Sequence, residues 1–243
     1  MMEKSSVDLT AQDETRIRDN IRRVRERIAA ACVRAGRSPE EITLMGVTKT
    51  VSPAHINAAI AEGITHIGEN RVQEYLGKRD ELKLDGVKTA LIGHLQTNKV
   101  KAIVGTVDSI DSVDSLRLAQ AISTASERLG RVTDVLVEVN IGGEEAKSGV
   151  EPELLEPLLE QIRTFSGIRV RGLMTIPPIS QEESKKRWYF SRMCKLFIDI
   201  RGKNIDNIYM DVLSMGMSSD FEEAILEGAT QIRVGSALFG QRI

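Results

Sequence analysis

The feature that most constrains this chain is an alternation repeated eight times. A short apolar run is followed by a helical pattern, and the pair recurs between residues 42 and 240. The apolar runs fall at 42–48, 64–68, 89–93, 107–110, 134–141, 168–175, 208–213 and 230–234. Each is too short for a helix of its own, and each is bounded by glycine, proline or polar residues. Alternating strands and helices give a parallel sheet buried on both faces. Eight such units in 243 residues match the count of a (β/α)8 TIM barrel. A doubly wound open sheet is the competing architecture, but no Gly-x-Gly-x-x-Gly follows the first strand.

Punctuation supports the division into units. Ser52-Pro53 opens one helix, with Ser as N-cap and Pro at the first helical position. Glu151-Pro152 opens another, in which Pro157 predicts a kink or a break between two short helices. Ser219-x-x-Glu222 reads as a capping box. Leu118, Ile122, Ala125 and Leu129 should share one face, as should Leu154, Leu155, Leu158, Leu159 and Ile162. A weak internal echo links residues 59–68 with 224–235.

Ahead of the barrel, residues 10–37 form an amphipathic helix on Ile17, Ile21, Val24 and Ile28, ended by Gly36. Its other face carries Arg16, Arg18, Arg22, Arg23, Arg25 and Arg27, interleaved with Glu14, Asp19 and Glu26, which reads as a solvated face. No linker divides the sequence, so residues 1–243 are expected to be one domain: helix 10–37 and barrel 42–240.

Composition removes several function classes. Lys+Arg is 33 and Asp+Glu 35, a net charge of −2, so bulk charge would not hold a nucleic acid. One tryptophan, three tyrosines and five phenylalanines make a poor stacking platform for single strands. No apolar run approaches a membrane span, and the first twenty residues lack the apolar segment of a signal peptide. Cys32 and Cys194 form no disulfide framework or Cys-x-x-Cys. A cytoplasmic protein is expected.

Barrel chemistry sits at the C-terminal ends of the strands. Eight windows therefore matter: 48–50, 68–70, 93–96, 111–112, 140–149, 174–178, 214–218 and 233–236. The first holds Lys49 at the tip of an apolar strand. There it either snorkels to the rim or is desolvated into an amine nucleophile for carbonyls. The seventh and eighth windows favour the second reading. Ser214 through Ser218 and Gly235-Ser236, with a short helix at 237–240, occupy the two loops where barrels commonly bind phosphate. Arg233 interrupts the last strand near its tip. It should meet a carboxylate or a ligand; against a ring nitrogen it would keep its proton and leave that nitrogen unprotonated. An amine, a phosphate cradle and a ring-nitrogen partner are what pyridoxal phosphate (PLP) requires.

The segments VTKT (47–50), GENRVQEY (68–75), IGHLQTNK (92–99), KSG (147–149), GLMTIPP (172–178), LSMGMSSDFEEAI (213–225) and IRVGSALFG (232–240) together resemble the pyridoxal phosphate homeostasis protein family. The resemblance spans nearly the whole chain. It implies a barrel similar to the N-terminal barrel of alanine racemase, the PLP fold type III. It implies Lys49 as the Schiff-base lysine, Ser214, Gly235 and Ser236 around the phosphate, and Arg233 facing the pyridine nitrogen. Asn70 and Met174 would lie on the ring side. Ser236 stands where many relatives have threonine and keeps the hydroxyl.

His94 faces the same end of the barrel and reads as cofactor contact or structural hydrogen bond. Lys147 reads as a second amine or a surface lysine. His55 and His66 read as structural, and Cys194 as helix core. Glu138 and Asn140 should form a same-face pair lining the barrel. Three histidines without metal-ligand spacing make no metal site.

The implied function is intracellular PLP homeostasis with little or no catalysis, and apo PLP-dependent enzymes as partners of a monomer. A PLP-dependent amino-acid racemase is the alternative. It would need a second acid/base opposite Lys49, and Tyr75, Tyr189 and Tyr209 lie outside the windows, while the chain ends just after the eighth strand. A Schiff-base aldolase would resemble enzymes with lysine on the sixth strand, and 174–176 here is Met-Thr-Ile.

Overall fold

The computed structural model describes residues 9–144, 147–178 and 180–240. Eight parallel strands close into a barrel in sequence order: β1 (Thr43–Val47), β2 (His66–Glu69), β3 (Lys88–Leu91), β4 (Ser109–Val113), β5 (Thr133–Glu138), β6 (Ile168–Met174), β7 (Ile208–Ser214) and β8 (Gln231–Val234). Closure runs through β1 and β8, with Thr43 opposite Gln231 and Met45 opposite Arg233. The sequence expectation of a (β/α)8 barrel with an added N-terminal helix describes this architecture.

Around the barrel lie α2 (Pro53–Ala61), α3 (Val72–Lys78), α4 (Val100–Ile103), α5 (Leu116–Arg128), α6 (Pro152–Ile162), α7 (Glu183–Gly202), α8 (Phe221–Leu226) and α9 (Ser236–Phe239). The N-terminal helix α1 spans Ala11–Ala35. Thr10 and Asp13 cap it reciprocally, and Gly36 ends it in the left-handed conformation. Its face of Ile17, Ile21, Val24, Ile28, Ala31 and Cys32 is buried against α2, α8 and α9. Each fully buried Ile or Val there contributes roughly 1.5–3 kcal/mol.

The basic stripe of α1 meets its own chain. Arg18 pairs with Glu62, Arg25 donates to the Gly63 carbonyl, and Arg27 pairs with Glu222 while lying 4.4 Å over the Phe221 ring. The echoed segments also acquire a meaning. They form β2 and β8, the strands on either side of β1, each preceded by a left-handed glycine, Gly63 or Gly228.

Several local expectations are corrected. The fourth strand lies at Ser109–Val113 rather than 107–110, which moves its tip from Asp111-Ser112 to Asp114. Polar Ser109 and Asp111 disguised it, and they are polar because Asp111 bonds Ser109 and Gln231 inside the barrel. The N-cap of α8 is Asp220, not Ser219, and its carboxylate accepts from the Met217 N–H at 2.6 Å. Ser52 caps α2 by position, but its hydroxyl goes to the His55 ring at 2.7 Å. Helix α6 runs unbroken through Pro157, which lies on its exposed face. Leu129 and Leu154 face solvent at 58% and 53% exposure, at or near the ends of their helices, where the apolar face has turned off the core.

The β5–β6 and β6–β7 registers both shift at Gly172. A Cβ there would stand 1.8 Å from the Val212 carbonyl oxygen, so only glycine lets β7 approach β6 at this bulge. Gly172→Ala should therefore force the two strands apart and destabilise by at least ~3 kcal/mol, lowering Tm by about 10 °C. Thermal unfolding followed by circular dichroism checks this; an unchanged Tm would mean the bulge can relax.

Candidate functional site

The chain after β1 makes a tight turn. Val51 N–H donates to the Thr48 carbonyl at 3.1 Å, which places Lys49 and Thr50 at its two central positions. Thr50 has φ +61°, a conformation a β-branched residue adopts only under constraint, at a cost of order 1–3 kcal/mol. Lys49 is half-buried at the barrel mouth. Behind the turn lies a polar cluster from β2 and α3. Glu74 accepts from the Thr50 N–H, and Glu69 accepts from the Thr48 hydroxyl and pairs with Lys78. Lys78, 7% exposed, also donates to the Thr48 carbonyl at 2.8 Å. Burial pushes the Glu69 carboxyl up against the pull of Lys78.

The barrel interior has an apolar side and a polar side. Met45, Val47, Ala90 and Ile92 form a small cluster of their own, and a Cβ on Gly68 would strike Met45 and Ile92. Beside Met45, on the adjacent strand β8, lies Arg233, 3% exposed. Its guanidinium donates to Ser214 Oγ at 2.7 Å and to the Thr175 carbonyl at 2.8 Å. Ser214 Oγ also accepts from Gln231 at 3.0 Å, and Gln231 donates to Asp111 at 3.3 Å. Burial pulls the Arg233 pKa down, and the nearby carboxylates of Asp111, Glu138 and Asp220 raise it. An arginine in such a site keeps its charge. Burial pushes Asp111 and Asp220 up, and the Arg233 charge opposes it in both.

The loops after β7 and β8 meet at the start of α9. The N–H groups of Gly235 and Ala237 converge on Ser218 Oγ at 3.2 and 3.3 Å. Ser236 is exposed at the first position of α9. Two main-chain donors thus point at one oxygen, the Ser218 hydroxyl, and N–H groups aligned in this way suit a phosphate. Ser214 Oγ accepts from Arg233 and Gln231. Ser218 was inside the seventh window but not among the residues picked from it. Gly216 serves packing: at φ +90° a Cβ would lie 2.6 Å from Ala224 Cβ and 2.9 Å from Phe221 Cα.

Around the mouth, Asn70 follows β2, and its Oδ1 is buried without a hydrogen-bond partner. Gly93 passes so close that a Cβ would stand 2.2 Å from the Asn70 carbonyl oxygen. Met174 is fully buried at the tip of β6, opposite Glu138 on one side and Ser214 on the other. His94 is exposed, 3.2 Å from Asp114 and 3.4 Å from Ser148. Lys147 pairs with Glu144 and donates to the Pro177 carbonyl at 3.3 Å, tying the loops after β5 and β6 together. Glu138 lines the barrel as expected, but Asn140 turns to its own loop, bonding Glu144 main-chain atoms. His55 and Ser52 close the first turn of α2, and His66 is paired with Thr65 at the strand start, both structural. Cys194 is half-buried on α7 and packs against the core. Among the described residues no group of His, Cys, Asp and Glu could hold a metal ion.

The family model for the alanine racemase N-terminal domain matches residues 12–243, which defines the class to which this barrel and its mouth belong. Longer-range comparison narrows it. The pyridoxal phosphate homeostasis protein of Aquifex aeolicus is 45% identical over 92% of this chain and 97% of its own length. That of Escherichia coli is 36% identical over 93% and 97%. The chain belongs to the pyridoxal phosphate homeostasis protein family. Among solved structures, PipY of Synechococcus elongatus with PLP bound superposes with a TM-score of 0.81 at 33% identity, over 92% of this chain and 100% of that one. An alanine racemase of Clostridium difficile, 17% identical with a TM-score of 0.74, shares the fold over 94% of this chain and 57% of its own.

Burial raises the Glu138 carboxyl from 4.5 to about 7; the Asp114 carboxylate acts the same way, and Arg233 and His94 oppose it. Its folded pKa stands above its unfolded one, so the protonated form favours folding. That stability is full below about 4.5 and is lost as pH rises through about 7. Glu138→Gln should then exceed wild type in stability near pH ~8, by up to about 3 kcal/mol, and match it near pH ~4.5. Urea unfolding of both proteins at the two pH values reads the difference; a gap independent of pH would place the carboxyl in solvent.

Proposed function

We propose that this protein binds pyridoxal 5′-phosphate at the mouth of its barrel and acts in PLP homeostasis rather than catalysis. The observation that carries the reading is the meeting, at one end of the barrel, of Lys49, the buried Arg233 and the donors at the start of α9. The PLP-bound relative of the same fold supports it. The residues fit the group. Gly235 and Ala237 N–H with Ser218, beside Ser236, would hold the phosphate, and the unpartnered Asn70 Oδ1 suits a ring hydroxyl. When bound, the cofactor supplies an aldehyde that condenses with an amine, and an electron-withdrawing ring. Lys49 is the amine in this reading. Arg233 faces the ring nitrogen and denies it a proton, while Ser214 and the Thr175 carbonyl orient the guanidinium. Met174 flanks the ring from β6.

The racemase alternative is not favoured. Among the described residues, Tyr75 is buried with its hydroxyl on the Thr106 carbonyl, Tyr189 lies on α7, and Tyr209 is at the start of β7. None stands at the mouth to oppose Lys49. An arginine at the ring nitrogen also weakens the ring as an electron sink. The reading extends to a cytoplasmic monomer, one domain over residues 1–243, that passes the cofactor to apo-enzymes. No helix among the described residues is long and apolar enough to cross a membrane.

Wild-type protein incubated with PLP should show a visible absorption band, and borohydride should fix a pyridoxyl group on Lys49, located by mass spectrometry. Lys49→Ala should lose the band and keep the fold. A label on Lys99 or Lys147 instead would overturn the site.

Incubated with L- and D-alanine, serine and glutamate in deuterated water, the loaded protein should exchange no appreciable α-proton. One positioned acid/base contributes about 10²–10⁴-fold, so a site lacking the second is slow. Robust exchange that disappears in Lys49→Ala would restore the racemase.

A further inference from the structure

The turn carrying Lys49 is held by side chains of β2 and α3. In a four-residue turn with a left-handed third residue, glycine is the ordinary occupant. Here it is Thr50, at φ +61°. Three ties hold it. The closing hydrogen bond joins Val51 N–H to the Thr48 carbonyl at 3.1 Å. Glu74 takes the Thr50 N–H. The Lys78 ammonium spans the turn, donating to the Thr48 carbonyl at 2.8 Å and approaching the Val51 carbonyl at 3.5 Å. Those two carbonyls flank Lys49-Thr50.

Lys78 is itself fixed. It pairs with Glu74 at 3.2 Å one helical turn away and with buried Glu69, which also takes the Thr48 hydroxyl. A surface lysine with an (i, i+4) glutamate would be worth little and would wander. Burial removes both freedoms. The second oxygen of Glu69 is buried without a partner, so the pair is not arranged for stability alone.

We propose that Lys78, with Glu69 and Glu74, is a positioning clamp that forces the Lys49 turn into its left-handed form and so aims the Lys49 amine into the mouth. The inference rests on the reading of Lys49 as the cofactor amine. Lys78 acts through the main chain on both sides of Lys49.

The test uses the full chain in three forms: wild type, Lys78→Met with Glu69→Gln, and the same pair with Thr50→Gly. The paired change avoids a lone buried carboxylate. Amide hydrogen exchange at Thr50 and Val51 is measured without cofactor, and PLP affinity and the pH midpoint of its absorption band are measured by titration. The paired variant should exchange at these amides at least ~10-fold faster, bind PLP about tenfold more weakly and shift the midpoint. Thr50→Gly, which adopts the turn without strain, should restore most of the affinity. Faster exchange with unchanged affinity and midpoint would make the cluster purely structural and overturn the clamp. So would an affinity loss that Thr50→Gly does not recover. If the paired variant fails to fold, Glu74→Ala at its half-buried position cuts the Thr50 tie alone. It should then weaken binding by ~3-fold or more, and unchanged affinity overturns the proposal. Failure of wild-type protein to bind PLP would instead sink the function proposed above, while the exchange data would still report on the turn.

Discussion

A guanidinium buried inside a barrel imposes conditions on every strand around it. Arg233 has left water, and its charge has to be met by oxygens aimed from neighbouring strands. The structure supplies Ser214 from β7 and the Thr175 carbonyl after β6, with Asp111 from β4 and Glu138 from β5 in its field. This divides the interior. β1 to β3 contribute Met45, Val47, Ala90 and Ile92, and β4 to β8 contribute polar groups. Gln231 closes the polar half by joining Asp111 to Ser214. Such a network fixes one orientation of the arginine, because its two terminal nitrogens are each held by a separate acceptor. A ligand arriving at the mouth meets a donor already in place.

The fold was legible because parallel strands buried on both faces read as apolar runs, and helices between them carry their own stops. It failed locally where barrel chemistry enters the strand. β4 reads Ser-Ile-Asp-Ser-Val, and its alternate polar residues belong to the arginine network, which no local pattern announces. At the mouth, Lys49 and Arg233 were legible because a charged residue beside an apolar strand demands a reason. Ser218 stood beside Ser214 and Ser219 with nothing in the sequence to tell the three apart. Only the folded loop shows that Ser218 meets Gly235 and Ala237. Lys78 was invisible for a further reason. With Glu74 one turn before it, it has the spacing of an exposed helical pair, and its burial depends on β1 and β2 packing beneath α3.

The helix α1 shows charge and polarity used within the chain. Its row of arginines reads as a solvated face, yet Glu62, Gly63 and Glu222 of the same chain take several of them. Meanwhile polar Asn20, in the middle of the helix, is buried and donates to the Leu238 carbonyl of α9 at 2.9 Å.

That last contact makes the molecule depend on distant parts of its sequence. Helix α1 takes most of its cover from α8 and α9, and the Asn20–Leu238 bond joins residues 218 positions apart. From nearby in the sequence, α2 also packs against it. Contacts of such sequence separation are slow to form. Once formed, they pack α1 against α8 and α9. The donors at the start of α9 share their helix with the carbonyl that Asn20 holds, so the docking of α1 and the shape of the ligand-binding end are coupled.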